Sequence, residues 1–241
     1  MPAARASLVV TLLALAACAG PSGPRFVAGD VPDPGPSACD AAAVDDASSL
    51  ACGCGALPAG PLAAEAVPGA VAWEDLAFDA DGALVGSDGT ALFRTYAGSR
   101  ARVWVAGLGN RAGLRFLPDG RLAVADDALG RILLVEPTGV WRTLVQGLSY
   151  PNGLAVGPDG RLYVTEHDGG RVLRVDPATG AVATVASGLD RPNGIAFSAD
   201  GGRLYVSLFR EGCIVAIDAP QSDAPGAPAT WSCPAGEGAL I

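Results

Sequence analysis

The sequence repeats an Asp-Gly turn four times, at intervals of about 40 residues. The turns fall in residues 78–82, 116–120, 156–160 and 197–201. Each follows a short apolar segment and precedes a second segment in which apolar residues alternate. Asp-Gly between such segments predicts a tight hairpin in which both central residues have positive φ. A repeat of this length matches one four-stranded propeller blade.

The third repeat shows the whole unit most clearly. Its third strand is predicted over residues 171–176, and a Pro-Ala-Thr-Gly turn leads to a fourth strand over 181–186. The chain has 33 Gly, 19 Pro and only 6% aromatic residues, which favours short strands and turns over long helices. We therefore predict an all-β fold, a β-propeller of four-stranded blades; a β-sandwich is the alternative. The predicted blades cover residues 70–110, 111–150, 151–190 and 191–235.

The first residues predict export from the cytoplasm. Arg5 precedes an apolar run over residues 8–17, which is short for a membrane span and typical of a signal-peptide core. The run ends in Leu-Ala-Ala-Cys, which resembles the bacterial lipobox and predicts acylation of Cys18. An ordinary signal peptide with a chance cysteine, or a buried helix, is the alternative. Ala and Gly follow Cys18, which by the sorting rule of Gram-negative lipoproteins favours the outer membrane.

Three segments result from this division of the chain. Residues 1–17 are a predicted signal peptide, 18–68 a tether with a small cysteine-containing segment, and 69–241 the propeller. The middle segment is rich in Pro, Gly, Ala and Asp and shows no sustained periodicity. The predicted location is therefore the cell envelope, with the membrane as a partner through the lipid.

The remaining cysteines predict disulfides, because an exported protein meets an oxidising compartment. Cys213 and Cys233 fall on neighbouring third and fourth strands of the last blade, where antiparallel pairing brings them within range. Cys39 is expected to pair with Cys52 or Cys54. Five cysteines after Cys18 leave one thiol over.

Charge and motif content exclude several functions. A net charge of −9 and the absence of a basic cluster argue against nucleic acid as a partner. The sequence holds no Gly-x-Ser-x-Gly nucleophile motif, no phosphate loop and no zinc-binding spacing of His and Cys.

In a four-stranded meander the start of the inner strand and the loop after the second strand share one face. Two inner strands start with Pro-Asn-Gly, which places Asn152 and Asn193 there, and the first starts near Glu74. Amide and carboxylate oxygens are hard ligands of the kind that Ca²⁺ or Mg²⁺ takes. The alternative is that Pro-Asn-Gly is only a turn, repeated because the blades are repeats.

The segments 151–164 and 192–206 resemble the gluconolactonase/regucalcin (senescence marker protein) family of six-bladed propellers, and the likeness extends over about residues 70–241. The resemblance implies that four of six blades are present. Four blades would leave two blade edges open, and with the odd cysteine this predicts a C-terminally truncated chain; a genuine four- or five-blade ring is the alternative. It also implies a divalent metal, Ca²⁺ first, in the central channel. Its ligands would be Glu74, Asn152, Asn193 and an Asp from a further blade, although the family's Glu-Gly-Pro-x-Trp pattern is not kept at Glu74.

The loops after the second strands supply further candidates. His167 is the only histidine, and related paraoxonase-like lactonases use a His near the metal as a base. Asp127, Glu166 and Arg210 are candidate substrate-binding residues. The alternative is that all four are solvated loop residues.

These observations predict an envelope-anchored, divalent-metal-dependent lactone hydrolase. Its partner would be a small molecule, a lactone or a sugar acid derivative. The alternative function is a non-catalytic β-propeller lipoprotein that binds a ligand or a protein.

Overall fold

The computed structural model describes residues 70–96, 98–108 and 112–233, all within the unit Pro68–Ile241. The predictions for the signal peptide, Cys18, the segment 18–68 with Cys39, Cys52 and Cys54, and residues 234–241 lie outside these residues. Within the described ranges, no helix is long and apolar enough to cross a membrane.

In the described part of the chain, sixteen strands form four antiparallel sheets of four strands, each sheet in sequence order. The first blade holds β1 (Leu76–Phe78), β2 (Leu84–Ser87), β3 (Ala91–Thr95) and β4 (Arg102–Ala106). The second holds β5 (Leu114–Phe116), β6 (Leu122–Asp126), β7 (Arg131–Val135) and β8 (Trp141–Gln146). The third holds β9 (Pro151–Val156), β10 (Leu162–Glu166), β11 (Arg171–Val175) and β12 (Val182–Ser187). The fourth holds β13 (Pro192–Phe197), β14 (Arg203–Leu208), β15 (Cys213–Asp218) and β16 (Ala229–Ser232). The predicted all-β fold of four-stranded blades is confirmed.

The Asp-Gly turns differ from the prediction in their backbone. Only the glycines have positive φ, between 71° and 85°, and the preceding aspartates do not. In the second blade, for example, the Gly120 N–H donates to the Leu117 carbonyl at 3.0 Å, and the ladder closes from Leu117 N–H to Arg121 O at 2.8 Å. This is a three-residue loop, a type I turn followed by one left-handed glycine, so a single residue needs positive φ.

The core lies between neighbouring blades. Three clusters of buried side chains join the first blade to the second, the second to the third and the third to the fourth. The strands β6 and β10 are buried at every residue, whereas β16 is exposed at every residue. Burial of apolar surface therefore stabilises the contacts between the sheets, by roughly 25 cal/mol for each Å² that is buried. Representative members are Leu92, Leu114 and Val124; Ile132, Leu154 and Val164; and Tyr163, Val206 and Ile217.

The predicted disulfide in the last blade is confirmed. Cys213 at the start of β15 is bonded to Cys233, which follows β16. The bond joins the outer hairpin of the fourth blade across 20 residues of sequence.

Tyr163 predicts a loss of stability in alkali. Its side chain is fully buried, and burial together with the charge of Asp159 raises its pKa to about 12. Between pH 10 and 12 the unfolded chain loses the phenol proton while the folded chain keeps it. We therefore expect the free energy of unfolding to fall by about 2 kcal/mol over this window. Urea unfolding at pH 9 and pH 12 measures the fall.

The Tyr163→Phe variant should lose this part of the alkaline dependence. Tyr96→Phe, at an exposed tyrosine, is the matched control and should keep it. An unchanged alkaline fall in Tyr163→Phe would show that other groups cause it.

Candidate functional site

A cavity of about 190 Å³ lies where the inner strands start. All three residues predicted to hold a metal line it: Glu74 ahead of β1, Asn152 in β9 and Asn193 in β13. The loops after the second strands reach the same face, because His167 N–H donates to the Tyr150 carbonyl at 2.9 Å and Phe209 N–H to the Arg191 carbonyl at 3.0 Å. The geometry therefore brings together the three predicted metal ligands. The other predicted site residues, Asp127, Glu166, His167 and Arg210, do not line this cavity.

The two Pro-Asn-Gly segments are strands rather than turns. Strands β9 and β13 begin at Pro151 and Pro192, and neither glycine in these segments has positive φ. The ladder between the inner and second strands is irregular in both blades, with register shifts between Val164 and Glu166 and between Pro192 and Ile195. Bulges of this kind re-aim side chains beside functional sites. The interpretation of Pro-Asn-Gly as a turn is therefore wrong.

Gly153 of the third blade is required by close approach between blades, whereas a Cβ on Gly194 would meet the Ser207 hydroxyl of its own blade at 3.0 Å. A Cβ on Gly153 would lie 2.2 Å from the carbonyl oxygen of Asn193. Thr165 Oγ1 accepts the Gly153 N–H at 2.8 Å and donates to that same carbonyl at 2.6 Å. One blade earlier, Gly113 N–H donates to the Asn152 carbonyl at 2.9 Å. The backbones of both asparagines are thus fixed by the preceding blade.

Glu74 and Asn152 are in direct contact. Asn152 Nδ2 donates to Glu74 Oε1 at 3.2 Å, across 78 residues of sequence. Although Glu74 keeps part of its surface open, partial burial raises its pKa, and the charges of Asp127 and Asp75 add to this; the Asn152 hydrogen bond and His167 act in the opposite direction. The Glu74 carboxylate therefore sits in a negative local field that a bound cation would relieve.

Asp127 adds an unsatisfied acceptor to this region. The residue is 9% exposed, and its Oδ1 is buried with no hydrogen-bond partner among the residues that the structure describes. Burial raises the pKa of the neighbouring Tyr150 phenol, and the charge of Asp127 and a hydrogen bond to it raise that pKa further. A buried oxygen without a partner is costly unless a ligand or ion satisfies it.

The oxygen atoms of the cavity side chains determine which metal ion the cavity could bind. Within the described ranges, no three side chains among His, Cys, Asp and Glu gather into a metal-binding group. A cation here would therefore need the amide oxygens of Asn152 and Asn193 beside the Glu74 carboxylate. This set of neutral and anionic oxygens fits a hard divalent cation such as Ca²⁺.

His167 is packed rather than solvated. Its ring lies between Tyr150 and Phe209, with centroid distances of 5.2 and 5.6 Å, and its side chain is 12% exposed. Its Nδ1 is 3.0 Å from Asp168 Oδ1. A neighbouring carboxylate that fixes the ring is the arrangement that a histidine base needs.

The structure gives Glu166 a different place from the predicted one. Its side chain is fully buried; Arg171 Nε donates to Oε2 at 2.5 Å and Ser149 N–H to Oε1 at 2.9 Å. Asp126 is equally buried and pairs with Arg131 at 2.8 Å. Each acid ends the second strand and each arginine begins the third, five residues later. Glu166 therefore holds two strands together and does not present its carboxylate to a substrate.

Arg115 lines the cavity and was missed by the sequence analysis. Its Nη1 donates to Asp75 Oδ2 at 2.8 Å and to its neighbour's carbonyl, Leu114 O, at 2.6 Å. Asp75 also accepts the Leu114 N–H at 2.9 Å, so it connects the first two blades. The only signal in the sequence was an arginine inside an inner strand, where the other blades have apolar residues.

A second depression lies between the third and fourth blades. This groove has a volume of about 730 Å³ and is lined by His167 and Asp168, by Gly188 and by Asp190, Arg191 and Arg210, among others. Arg210 Nε is 4.0 Å from Asp190 Oδ2, and its side chain is 67% exposed. Its predicted role in substrate binding stays a prediction, now located in this groove.

The chain is similar to known proteins in sequence and in structure. Residues 151–238 match the family described as SMP-30/Gluconolactonase/LRE-like region. No curated protein matches the chain. A gluconolactonase from Xanthomonas campestris is similar in structure, with 25% sequence identity, a TM-score of 0.61 and coverage of 70% of this chain and 65% of that one.

Two further solved structures share the fold. A virginiamycin B lyase from Staphylococcus aureus is 16% identical, with a TM-score of 0.56 over 67% of this chain and 55% of that one. An auxiliary nutrient binding protein from Bacteroides ovatus is 19% identical, with a TM-score of 0.57 over 66% and 42%. The chain thus spans between 42% and 65% of these three structures.

Proposed function

The chain carries a gluconolactonase-like β-propeller, and on that premise we propose that it is a divalent-metal-dependent hydrolase of lactones. The single observation that carries the proposal is the shared cavity of Glu74, Asn152 and Asn193. Three different blades supply these side chains, and two of them are in direct hydrogen-bond contact. The substrate class is a small lactone or sugar acid derivative.

Glu74, Asn152 and Asn193 would hold the cation, and Ca²⁺ is the first choice for this oxygen set. The chemistry that such an ion supplies when bound is polarisation of the lactone carbonyl. Asp127 contributes its unpartnered oxygen to the same negative region. The two asparagines keep their places because the preceding blade fixes their carbonyls.

His167 is the proposed base. Packed between two aromatic rings, it would accept a proton from a water molecule as the water oxygen bonds to the carbonyl carbon. The ring ester C–O bond then breaks, and the proton passes to the departing oxygen to give a hydroxy acid. Arg115 keeps N–H donors beyond its two Nη1 bonds and would orient the substrate at the cavity wall.

Anchoring at the cell envelope through Cys18 is part of the same proposal. It is supported by the apolar run over residues 8–17 and by the Leu-Ala-Ala-Cys segment in which the run ends. The absence of a basic cluster supports a small-molecule partner rather than nucleic acid.

A second candidate is a propeller that binds a ligand without turnover. It is favoured by one observation, the departure of residues 73–76 from the Glu-Gly-Pro-x-Trp pattern of the resembled family. In that case ligand binding would occur in the same cavity without hydrolysis.

Hydrolysis of δ-gluconolactone by the full chain separates the two candidates. We expect activity with Ca²⁺, loss on chelation, and a fall of about 100-fold or more in Asn193→Ala, because removal of a ligand costs more than removal of its support. Saturating Ca²⁺ should also raise the unfolding temperature, since a ligand of the native state stabilises it.

Gln146→Ala is the control, an amide truncation on an exposed residue of β8 outside the cavity. It should keep both the activity and the Ca²⁺ response. Equal rates with Ca²⁺, with chelator and in Asn193→Ala would contradict the proposed metal dependence.

A further inference from the structure

The groove between the third and fourth blades differs in charge from the equivalent place one blade earlier. Ahead of Pro-Asn-Gly, the third blade has Tyr150 and the fourth has Arg191. At the second residue after the second strand, the third blade has Asp168 and the fourth has Arg210. Two changes toward arginine at matched positions therefore meet in one groove, where Arg191 and Arg210 lie with Asp168 and Asp190, in a chain whose net charge is −9.

Arg191 is held in an unusual backbone conformation. Its φ is +50°, although it is not glycine and it precedes a proline, a place that favours extended backbone. The Phe209 N–H bond to its carbonyl holds it there. Tyr150 has a φ of +56° and the equivalent bond from His167. Strained non-glycine residues of this kind are concentrated at binding and catalytic sites.

The guanidinium of Arg191 has no structural partner. The residue is exposed, and its side chain forms no hydrogen bond or ion pair with any residue that the structure describes. Arg210 is only loosely paired, at 4.0 Å from Asp190. Both guanidiniums therefore keep donors for a ligand, and a planar fork of N–H groups suits a carboxylate.

The groove is joined to the cavity through shared neighbours. His167 lines the groove, and its N–H donates at 2.9 Å to the carbonyl of Tyr150, two residues before Asn152 of the cavity. Arg191 lies two residues before Asn193, which lines the cavity. A substrate whose lactone ring occupies the cavity of about 190 Å³ would extend its substituent into the groove of about 730 Å³.

We propose that this groove binds a carboxylate on the substrate, through Arg191 and Arg210, so that the preferred substrates are lactones with an acidic substituent. The inference rests on the proposed lactone hydrolysis for the identity of the ring, but not for the binding of the carboxylate.

The test uses ligands that are not hydrolysed as lactones. The lactam pyroglutamate carries a carboxylate beside a five-membered ring, and pyroglutamamide is its neutral counterpart. Dissociation constants for both are measured on the full chain by NMR titration. We expect Arg191→Gln and Arg210→Gln each to weaken pyroglutamate binding by roughly tenfold and to leave pyroglutamamide binding unchanged.

Arg142→Gln is the matched control, because it makes the same charge change at an exposed residue of β8 outside both depressions. It should leave both constants unchanged. A second pair of variants tests access to the groove without changing charge: one member fills the groove and the other is its control. Gly188 has φ +76° and open space around its missing Cβ, and Gly147 is its equivalent one blade earlier. Asparagine tolerates this backbone, so Gly188→Asn should weaken pyroglutamate binding and Gly147→Asn should not.

Hydrolysis of the matching lactone carboxylate and its carboxamide completes the design. Pyroglutamate binding that depends on Arg191, without hydrolysis of either lactone, would support the groove and contradict the proposed enzyme. Equal kcat/KM for both lactones, or equal binding of pyroglutamate in Arg191→Gln, Arg210→Gln and Arg142→Gln, would overturn the groove and leave the proposed hydrolase standing.

Discussion

Replacing Gly153 with alanine is expected to destabilise the protein by about 3 kcal/mol, at the upper end for an overpacked contact. The added methyl group would lie 2.2 Å from the Asn193 carbonyl oxygen and 3.1 Å from both Thr165 Oγ1 and Ile195 Cγ2. Backbone cannot move aside as a flexible side chain can. The third and fourth blades must therefore separate at the start of their inner strands.

The measurement is thermal and urea unfolding of the purified chain. A loss of this size lowers the unfolding temperature by roughly 6–12 °C for a chain of this length. Gly194→Ala is the matched control at the same place in the next repeat, where the added methyl would meet only the Ser207 hydroxyl at 3.0 Å. An equal loss in both variants would mean that the cost arises within the strand and not between blades.

Replacing Arg171 with methionine is the second change with a large expected effect. It leaves the Glu166 carboxylate fully buried with the Ser149 N–H as its remaining donor. Removing the arginine is expected to cost about 2 kcal/mol, less than for a fully buried pair because the Arg171 side chain is 44% exposed, while the Glu166 carboxylate stays desolvated. We expect a matching fall in the free energy of unfolding by urea titration.

Two further variants test the cause. The double variant Glu166→Gln with Arg171→Met should recover much of the loss, because no buried charge remains. Arg161→Met breaks an exposed pair with Asp159 at 3.5 Å and should cost well under 1 kcal/mol. If the double variant is no more stable than Arg171→Met, the packing of the arginine stem accounts for the loss instead.

The repeat made the blades predictable, and with them the meeting of Glu74, Asn152 and Asn193. Each residue occupies the same phase of its repeat, and equal phases converge in a radial fold. The roles of the neighbouring acidic residues were harder to predict from the sequence. Glu166 looked like a loop residue because the strand was expected to end earlier. The arginine five residues later was the available signal, since the Asp126–Arg131 pair has the same spacing.

The backbone conformation of the site could not be predicted from the sequence. Positive φ at Tyr150 and Arg191 contradicts the local preference before proline and is held by hydrogen bonds from residues 17 and 18 positions later in the chain. Likewise, a turn was the alternative for Pro-Asn-Gly because turn chemistry is local, whereas the contact that excludes a side chain at Gly153 comes from another blade. Sequence patterns report local preferences well and distant contacts poorly.

The two kinds of polar contact have different consequences for how such a chain can gain or lose repeats. The pairs of Asp126 with Arg131 and of Glu166 with Arg171 each lie inside one blade, so a duplicated or deleted blade carries its complete pair with it. The contacts to the Asn152 and Asn193 carbonyls instead cross from one blade to the next. The ion pair between the second and third strands is therefore complete within one blade, whereas the contact at the start of the inner strand depends on the neighbouring blade. An inserted blade would have to place a backbone carbonyl at that position to keep the contact, and that position belongs to the residues that line the cavity.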